Sequence, residues 1–515
     1  MIHNKIFKFG LGITATLTLT NCSSDNKTMS IEKPNIILIL ADDLGYGELG
    51  AYGQKKIETP NIDKLAESGM IFTQHYAGSA VCAPSRCALL TGQHIGKAYI
   101  RGNDEWAERG DIWDFAKVVK DPNLEGQRPL PDSIQTLSQL LQRDGYKTGM
   151  VGKWGLGGPF SNGIPNNRGF DFYYGYNCQR QAHTYYPIHL WRNNEKVLLR
   201  NKLVPPHKKL EAGANPYDQK SYTDFNLIDY APELMHKEAL KFINSNKDNS
   251  FFLYYASTIP HVALQASQKW IDYYVKKFGD EKPYDGSNGY FPARYPRATY
   301  AAMISYLDEQ VGELIAKLKK LDIYENTLII FSSDNGSSFA GGADPVFFNS
   351  GGIFNSEYGR GKGFLYEGGI RIPFIASWSN KIKGNSRSNH ISAFWDILPT
   401  ICEINNIKTS AKIDGISFLS TLLGKKQEQH EFLYFEIPEY GGQQAVRIGN
   451  YKAIRKDILK GNLEIELYDL NNDIKEEKNI ADQNPEIVTR IEEIMKSEHT
   501  IPELQKFKME ALGDN

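Results

Sequence analysis

Cys82 stands in the stretch AGSAVCAPSRCALLTG, residues 77–92, two places before Pro84 and four before Arg86. Proline is favoured in the first turn of a helix and SRCALL can propagate that turn, so Cys82 is expected at or just before a helix N-terminus. Free backbone N–H groups and the helix dipole favour an anion there, and Arg86, one turn on, can fold back to the same point. A thiol so placed is expected to have a lowered pKa and to be reactive, the alternative being a buried structural cysteine. Acids gather elsewhere. Asp42-Asp43 closes the run PNIILILADD, and Asp334-Asn335 closes NTLIIFSSDNG far along the chain. Three carboxylates and an amide oxygen make a hard oxygen set, suited to calcium or magnesium rather than zinc. No Cys/His spacing of a zinc site accompanies them.

Both acid pairs end short β-branched runs that are apolar at every position, which suits strands buried on both faces of a parallel sheet. Helical patterns lie between them, in TPNIDKLAESG, SIQTLSQLLQRDG and YAAMISYLDEQVGELIAKLKKL. The alternation predicts an α/β fold, a large and mostly parallel sheet sandwiched by helices. Ligands in such a fold gather beyond the carboxyl ends of the strands, where Asp42, Asp43, Asp334 and Asn335 stand. From about residue 400 the texture changes. HEFLYFEI, QAVRIGNYKAIRK and EIELYDLNND read as strands of a small antiparallel sheet, and NPEIVTRIEEIMKSE as a helix. The expected organisation is a main domain over residues 31–400 and a smaller C-terminal α+β domain over 401–515.

The 515 residues carry a formal net charge of -2, so no polyanion-binding surface covers the molecule and no nucleic-acid partner is expected. Residues 1–21 place Lys5 and Lys8 before an apolar stretch too short to span a bilayer, ending at Leu19-Thr20-Asn21-Cys22. This resembles a bacterial lipoprotein signal with Cys22 as the lipid-bearing residue and residues 22–30 as a linker; an ordinary secretory signal is the alternative. The expected location is the cell envelope, in the periplasm or at the outer membrane, with the membrane met only through the anchor. The remaining cysteines, Cys82, Cys87, Cys178 and Cys402, do not make a disulfide scaffold in so long a chain.

Cys82-Ala83-Pro84-Ser85-Arg86 followed by CALLTG resembles the signature of the type I sulfatases, relatives of the alkaline phosphatases. The likeness runs from PNIILILADDLGYGELGAYG to GKGFLYEGGIRIPFIASW, with a weaker echo in YKAIR and LYDLNND. It implies that a formylglycine-generating or maturase enzyme oxidises Cys82 to formylglycine (3-oxoalanine), whose hydrated gem-diol is the nucleophile. It implies calcium, with magnesium as the other choice, held by Asp42, Asp43, Asp334 and Asn335 with the modified Cys82 completing the shell. Arg86 would orient the formylglycine hydroxyl. Lys153 in GKWGLG and Lys362 in GRGKGFLYEGG match lysines that contact formylglycine or sulfate, and His261 in FFLYYASTIPHVALQ matches the histidine that protonates the departing alcohol. One position departs. Many relatives carry Gly-Lys-Trp-His-Leu-Gly, and this chain has Gly155 in place of that histidine. Glycine moves no proton, so His183 in YNCQRQAHTYYPIHLW is the first candidate for that role and His189 the second.

The same segment offers Tyr185, Tyr186 and Trp191 as faces for a pyranose, and Gln179, Arg180 and Arg192 as partners for hydroxyls or a carboxylate. YIRGNDEW, residues 99–106, follows the nucleophile helix and is expected to be a second specificity loop. The resulting expectation is a calcium-dependent sulfatase acting on sulfated carbohydrate such as ulvan, carrageenan or glycosaminoglycan. Two alternatives stand beside it: a phosphoesterase or phosphonate hydrolase of the same superfamily, and a non-catalytic glycan-binding lipoprotein with an unconverted cysteine.

Overall fold

A computed structural model describes residues 33–409 and 412–515, together with Met1 and Gly10. The signal and Cys22 lie outside the described residues. Ten strands form one sheet, in spatial order Ser386–Ser388, Met70–Phe72, Phe374–Ser377, Thr327–Ser333, Asn35–Ala41, Phe251–Ala256, Lys147–Lys153, Phe172–Tyr176, His189–Arg192 and Glu195–Leu198. The five from Thr327–Ser333 to Phe172–Tyr176 run parallel, and Phe374–Ser377 and His189–Arg192 flank them antiparallel.

The continuous apolar run at residues 36–41 follows from burial on both faces. Ile36, Leu38 and Leu40 enter one core with the helices Cys82–Thr91, Leu137–Arg143 and Ile397–Ile404. Ile37, Ile39 and Ala41 enter the other, with Pro60–Glu67, Ala231–Ser245, Gln268–Phe278 and Pro296–Lys320. Each fully buried aliphatic side chain contributes on the order of 1.5–3 kcal/mol to this sandwich. Local signals agree: proline opens four of the helices named here or below, at positions 60, 232, 296 and 485, and Thr136 and Gln139 form a capping box before Leu137.

A four-stranded antiparallel sheet follows, Leu433–Ile437, Gln443–Ile448, Tyr451–Arg455 and Ile465–Asp469, covered on one face by the helix Pro485–Glu498. Its other face is not free. Leu433, Phe435, Ile437, Ala445 and Ile454 share the first core of the large sheet. A charged cluster ties the small sheet to the short helix Glu367–Ile370, since the buried Lys452 ammonium lies 3.0 Å from Glu367 and 2.9 Å from Glu476. No described helix is long and apolar enough to cross a membrane.

Register decides where chemistry is possible. Ala41 pairs with Ser333, so the acid pairs that follow them emerge side by side. Leu40 and Gly152 both pair with Ala256, which brings Lys153 to the same carboxyl edge.

Candidate active site

Cys82 is the first residue of the helix Cys82–Thr91, with Val81 as its N-cap, and the whole helix is buried. Its thiol points at the strand ends: Sγ lies 3.4 Å from Asp42 Oδ1, 3.9 Å from Asp43 Oδ1 and 3.5 Å from Lys362 Nζ. The expected low thiol pKa is corrected here. Burial pushes Cys82 up, and Asp334 and Asp42 add to it, beyond what Lys153 and Lys362 offset. As a thiol, the residue is held neutral.

Each acid has its own cation. Lys153 Nζ donates to Asp42 Oδ2 at 2.7 Å, Lys362 Nζ to Asp43 Oδ2 at 2.8 Å, and Arg86 Nε and Nη2 to Asp334 Oδ2 at 3.0 and 2.9 Å. Arg86 also donates to Lys153 O at 2.6 Å, tying the helix to the strand Lys147–Lys153. Left without these partners, the buried ions would cost several kcal/mol each. Burial alone would raise Asp42, but Lys153, His261, Arg86 and Lys362 together hold its carboxyl far below the carboxylate range. Asp334 goes the other way, pushed up to about 6 by burial and the like charge of Asp42 against the pull of Arg86.

The donor set could hold a metal ion. Ligand atoms of Asp42, Asp43, Cys82 and His261 lie within 4.8 Å of one another. Asn335 Nδ2 donates to Asp43 Oδ1 at 2.8 Å, while its Oδ1 is buried with no hydrogen-bond partner among the described residues. A buried amide oxygen without a donor is costly, and a cation satisfies it. Asp334 is more heavily engaged, since its Oδ1 accepts the Asp43 N–H at 3.1 Å.

His261 lies 3.8 Å from Asp43 through Nε2, and its Nδ1 pairs with Val262 O at 2.5 Å. His183 stacks on it, ring centroids 5.4 Å apart and 11° from parallel. Burial depresses both imidazoles well below their ordinary pKa; Lys362 and Lys153 depress His261 further, and the His261 charge adds to the effect on His183. His189 is elsewhere, buried with Nε2 3.0 Å from Glu125, which also accepts the Trp191 indole N–H at 2.6 Å. At Gly155 (φ +106°) a Cβ would fall 2.3 Å from Gln179 Nε2, so the place of the missing histidine is filled by the Gln179 amide.

The expected sugar contacts fare differently. Tyr185 is fully buried and donates to Thr258 O and His261 O at 2.5 and 2.6 Å, so it offers no face and braces the His261 loop instead. Arg180 is buried, 2.7 Å from Glu105, and spent on Ile112 O and Leu124 O. Arg192 pairs with Glu238 at 2.9 Å, over the Tyr174 ring. Tyr186 packs on Tyr230 at 5.3 Å. The segment carries apolar contacts because it leads into the antiparallel edge of the sheet. In the loop 99–106, Asn103 Oδ1 accepts the Ala83 N–H at 3.1 Å, next to Cys82. Sequence reasoning missed Tyr290, edge-on to His183 at 5.0 Å, and Tyr440, whose ring covers Gly363 beside Lys362. Each is a lone tyrosine in a glycine-containing loop, and no periodicity marks it.

Residues 34–407 match the family model described as "Sulfatase", and residues 357–501 the one described as "N-sulphoglucosamine sulphohydrolase, C-terminal". The chain is 30% identical to arylsulfatase G of Mus musculus, over 84% of this chain and 78% of that one. It is 29% identical to N-acetylgalactosamine-6-sulfatase of Mus musculus, over 82% and 72% respectively. Among solved structures, "Ps i-CgsB in complex with k-i-k-neocarrahexaose" superposes with a TM-score of 0.72 at 27% identity, covering 92% of this chain and 94% of that chain.

Proposed function

The chain belongs to the sulfatase family and is a sulfuric ester hydrolase, and we propose that it removes sulfate from carbohydrate through a formylglycine made from Cys82 beside a bound calcium ion. The observation that carries this reading is the position of Cys82. Its Sγ sits 3.4 Å from Asp42 and 3.5 Å from Lys362, at the meeting point of the oxygen donors and the fixed cations. The carbohydrate part is supported by relatives named for N-acetylgalactosamine 6-sulfate and by a similar structure holding a neocarrahexaose.

Oxidised to formylglycine, residue 82 supplies a gem-diol, one hydroxyl attacking sulfur and the other later expelling sulfate as the aldehyde returns. Calcium held by Asp42, Asp43, Asp334 and Asn335 would supply Lewis acidity and lower the pKa of the attacking hydroxyl. Asp42, Asp43 and Asp334 balance Arg86, Lys153 and Lys362 in charge, so a divalent ion leaves the pocket positive and ready for an anion. Lys153 and Lys362 hold the sulfate oxygens. The negative charge of the bound ester favours the imidazolium of His261, which gives its Nε2 proton to the leaving alcohol. His183, stacked on His261, takes the second proton in place of the histidine absent at Gly155. Export on a lipid anchor at Cys22 suits work on polysaccharide outside the cytoplasm.

The test is mass spectrometry of the peptide spanning residues 81–86 from protein made in its native host, with hydrolysis of aryl sulfate compared with aryl phosphate. Conversion lowers the peptide mass, and sulfate is expected to be the preferred ester. An unmodified thiol or a preference for phosphate overturns the reading.

A further inference from the structure

Two tyrosines stand beside the site, one against its histidines and one against the glycine after Lys362, and both are held on backbone that bulky residues avoid. Tyr290 has φ +59° and Tyr440 φ +51°. A large side chain in the left-handed region is a strained outlier, and such strain persists where the surroundings impose it. Tyr290 is set by its own N–H donating to His207 Nδ1 at 2.7 Å. Its ring stands edge-on to His183 at 5.0 Å and to His261 at 5.8 Å, the side from which the alcohol receives its proton. Tyr440 belongs to the loop before Gln443, and a Cβ on Gly363 would fall 2.6 Å from its ring. Gly363 follows Lys362 directly, and Tyr440 is 52% exposed. Both phenols lie in the field of the same groups. Burial raises each above its ordinary pKa, Lys362 opposes, and Asp43 and Cys82 add.

A pyranose presents apolar C–H faces and a polar rim, and aromatic rings hold it by a face while leaving the rim free. Resting on the carbohydrate sulfatase reading, we infer that Tyr290 and Tyr440 form the subsite for the sulfated sugar ring, gripping it with its sulfate directed at Cys82. This assigns to two distant loops the stacking role expected of Tyr185, which is fully buried, and of Tyr186, whose ring packs on Tyr230. It also accounts for an exposed tyrosine laid over a glycine at the site mouth. Specificity then lies in the ring face and ring position that these two side chains admit, separate from the machinery that handles sulfate.

A panel of defined sulfated mono- and disaccharides is first assayed with the formylglycine-bearing, calcium-loaded protein. On the best saccharide, Tyr440→Ala and Tyr290→Ala are each expected to lower kcat/KM by about tenfold or more, chiefly through KM. Competitive inhibition by inorganic sulfate, which occupies the anion site alone, stays unchanged, and Tyr440→Phe recovers most of what Tyr440→Ala loses. Unchanged KM in the alanine variants overturns the subsite, and so does a parallel loss of sulfate inhibition, which marks general damage to the site. Should Tyr290→Ala fail to fold, Tyr440→Ala decides alone, because Tyr440 is half exposed. If the unaltered protein cleaves aryl sulfate but no saccharide, the carbohydrate reading falls and the subsite with it; if it cleaves a saccharide and the variants match it, only the subsite falls.

Discussion

Gln443 of the C-terminal sheet clamps Gly363 of the catalytic loop, its Nε2 donating to Gly363 O at 2.8 Å while its Oε1 accepts the Leu365 N–H at 3.1 Å. Lys362 immediately precedes that clamp, and its own N–H is tied to Ser337 O at 2.9 Å. The second sheet therefore sets the position of a cation that touches Asp43 and Cys82. Gln443→Leu is expected to lower kcat by about 10- to 100-fold, the scale of a misplaced catalytic group. Gln443→Glu separates positioning from bulk stability. Ionised, its carboxylate repels Gly363 O; protonated, it donates as the amide does. Its activity relative to the unaltered protein should rise as pH falls, and a pH-independent deficit would count against the clamp.

The orphaned Asn335 oxygen makes a prediction about metal. A ligand that binds only the folded state stabilises by about 2.7 kcal/mol at a hundredfold excess over Kd. Calcium is expected to raise Tm and chelation to abolish turnover, with calcium restoring it. Asn335→Leu removes the donor and keeps approximate volume, so its Tm should respond weakly to calcium. An equal calcium-dependent rise in both proteins would show that Asn335 is no ligand.

How much of this was readable in advance depends on what each element faces. The strands Asn35–Ala41 and Thr327–Ser333 are buried on both sides, so their apolar runs announce both the sheet and the acids at its edge. Lys147–Lys153, also central, reads KTGMVGK and announces nothing. Its glycines are demanded by contacts no sequence shows, Gly149 against the Phe242 ring and Gly152 against Ala256 O. The Cys82 helix was legible from Pro84, but the thiol's ionisation was not, because it depends on burial beside acids from two other strands. The aromatic segment after Asn177 signalled sugar contacts by composition alone, and packing took most of it. Tyr290 and Tyr440 from loops, and Gln443 from a strand end, are brought to the site only by the tertiary fold.

Gly155 and Gln179 are a matched pair. Restoring histidine at 155 places a Cβ at φ +106° and 2.3 Å from Gln179 Nε2. Gly155→His alone is expected to lose about 1–3 kcal/mol to backbone strain, and more to the collision. Adding Gln179→Gly removes the collision and leaves the strain. The double variant should be more stable than the sum of the single changes predicts, a coupling of about 1 kcal/mol or more in a double-mutant cycle. Additive changes in chemical denaturation would reject the pairing.

Glu48 ties pH to stability, with burial as the main cause and the Asp43 charge as a smaller one. It is fully buried, accepting from Gly45 N–H at 2.7 Å and Tyr300 Oη at 2.8 Å, and burial pushes its pKa up to about 7 from 4.5. Below pH 4.5 folded and unfolded chains both hold the proton, so nothing is lost. Between 4.5 and 7 the unfolded chain releases a proton that the folded one keeps, and stability falls as pH rises. The loss is about 3 kcal/mol once pH passes the folded value. Glu48→Gln, which cannot ionise, should flatten the decline of Tm from pH 5 to 8 at saturating calcium. The same slope in both proteins would exclude Glu48 as its source.

His261 should matter in proportion to how badly the leaving group needs a proton. Its Nδ1 is fixed on Val262 O, so Nε2 is the atom that faces Asp43 and the reacting ester. A sugar alkoxide is a poor leaving group, whereas 4-nitrophenolate departs unprotonated. A general acid is worth about 10²–10⁴-fold where the proton is needed. His261→Ala is therefore expected to lower kcat/KM on a sulfated sugar by at least about 10²-fold, and on 4-nitrophenyl sulfate by less than about tenfold. The neutral resting imidazole does not weaken the case, since the charge of the bound ester opposes the depression that burial, Lys362 and Lys153 impose on the free site. Equal losses on the two esters would remove the acid role and leave His261 as a residue that positions Asp43.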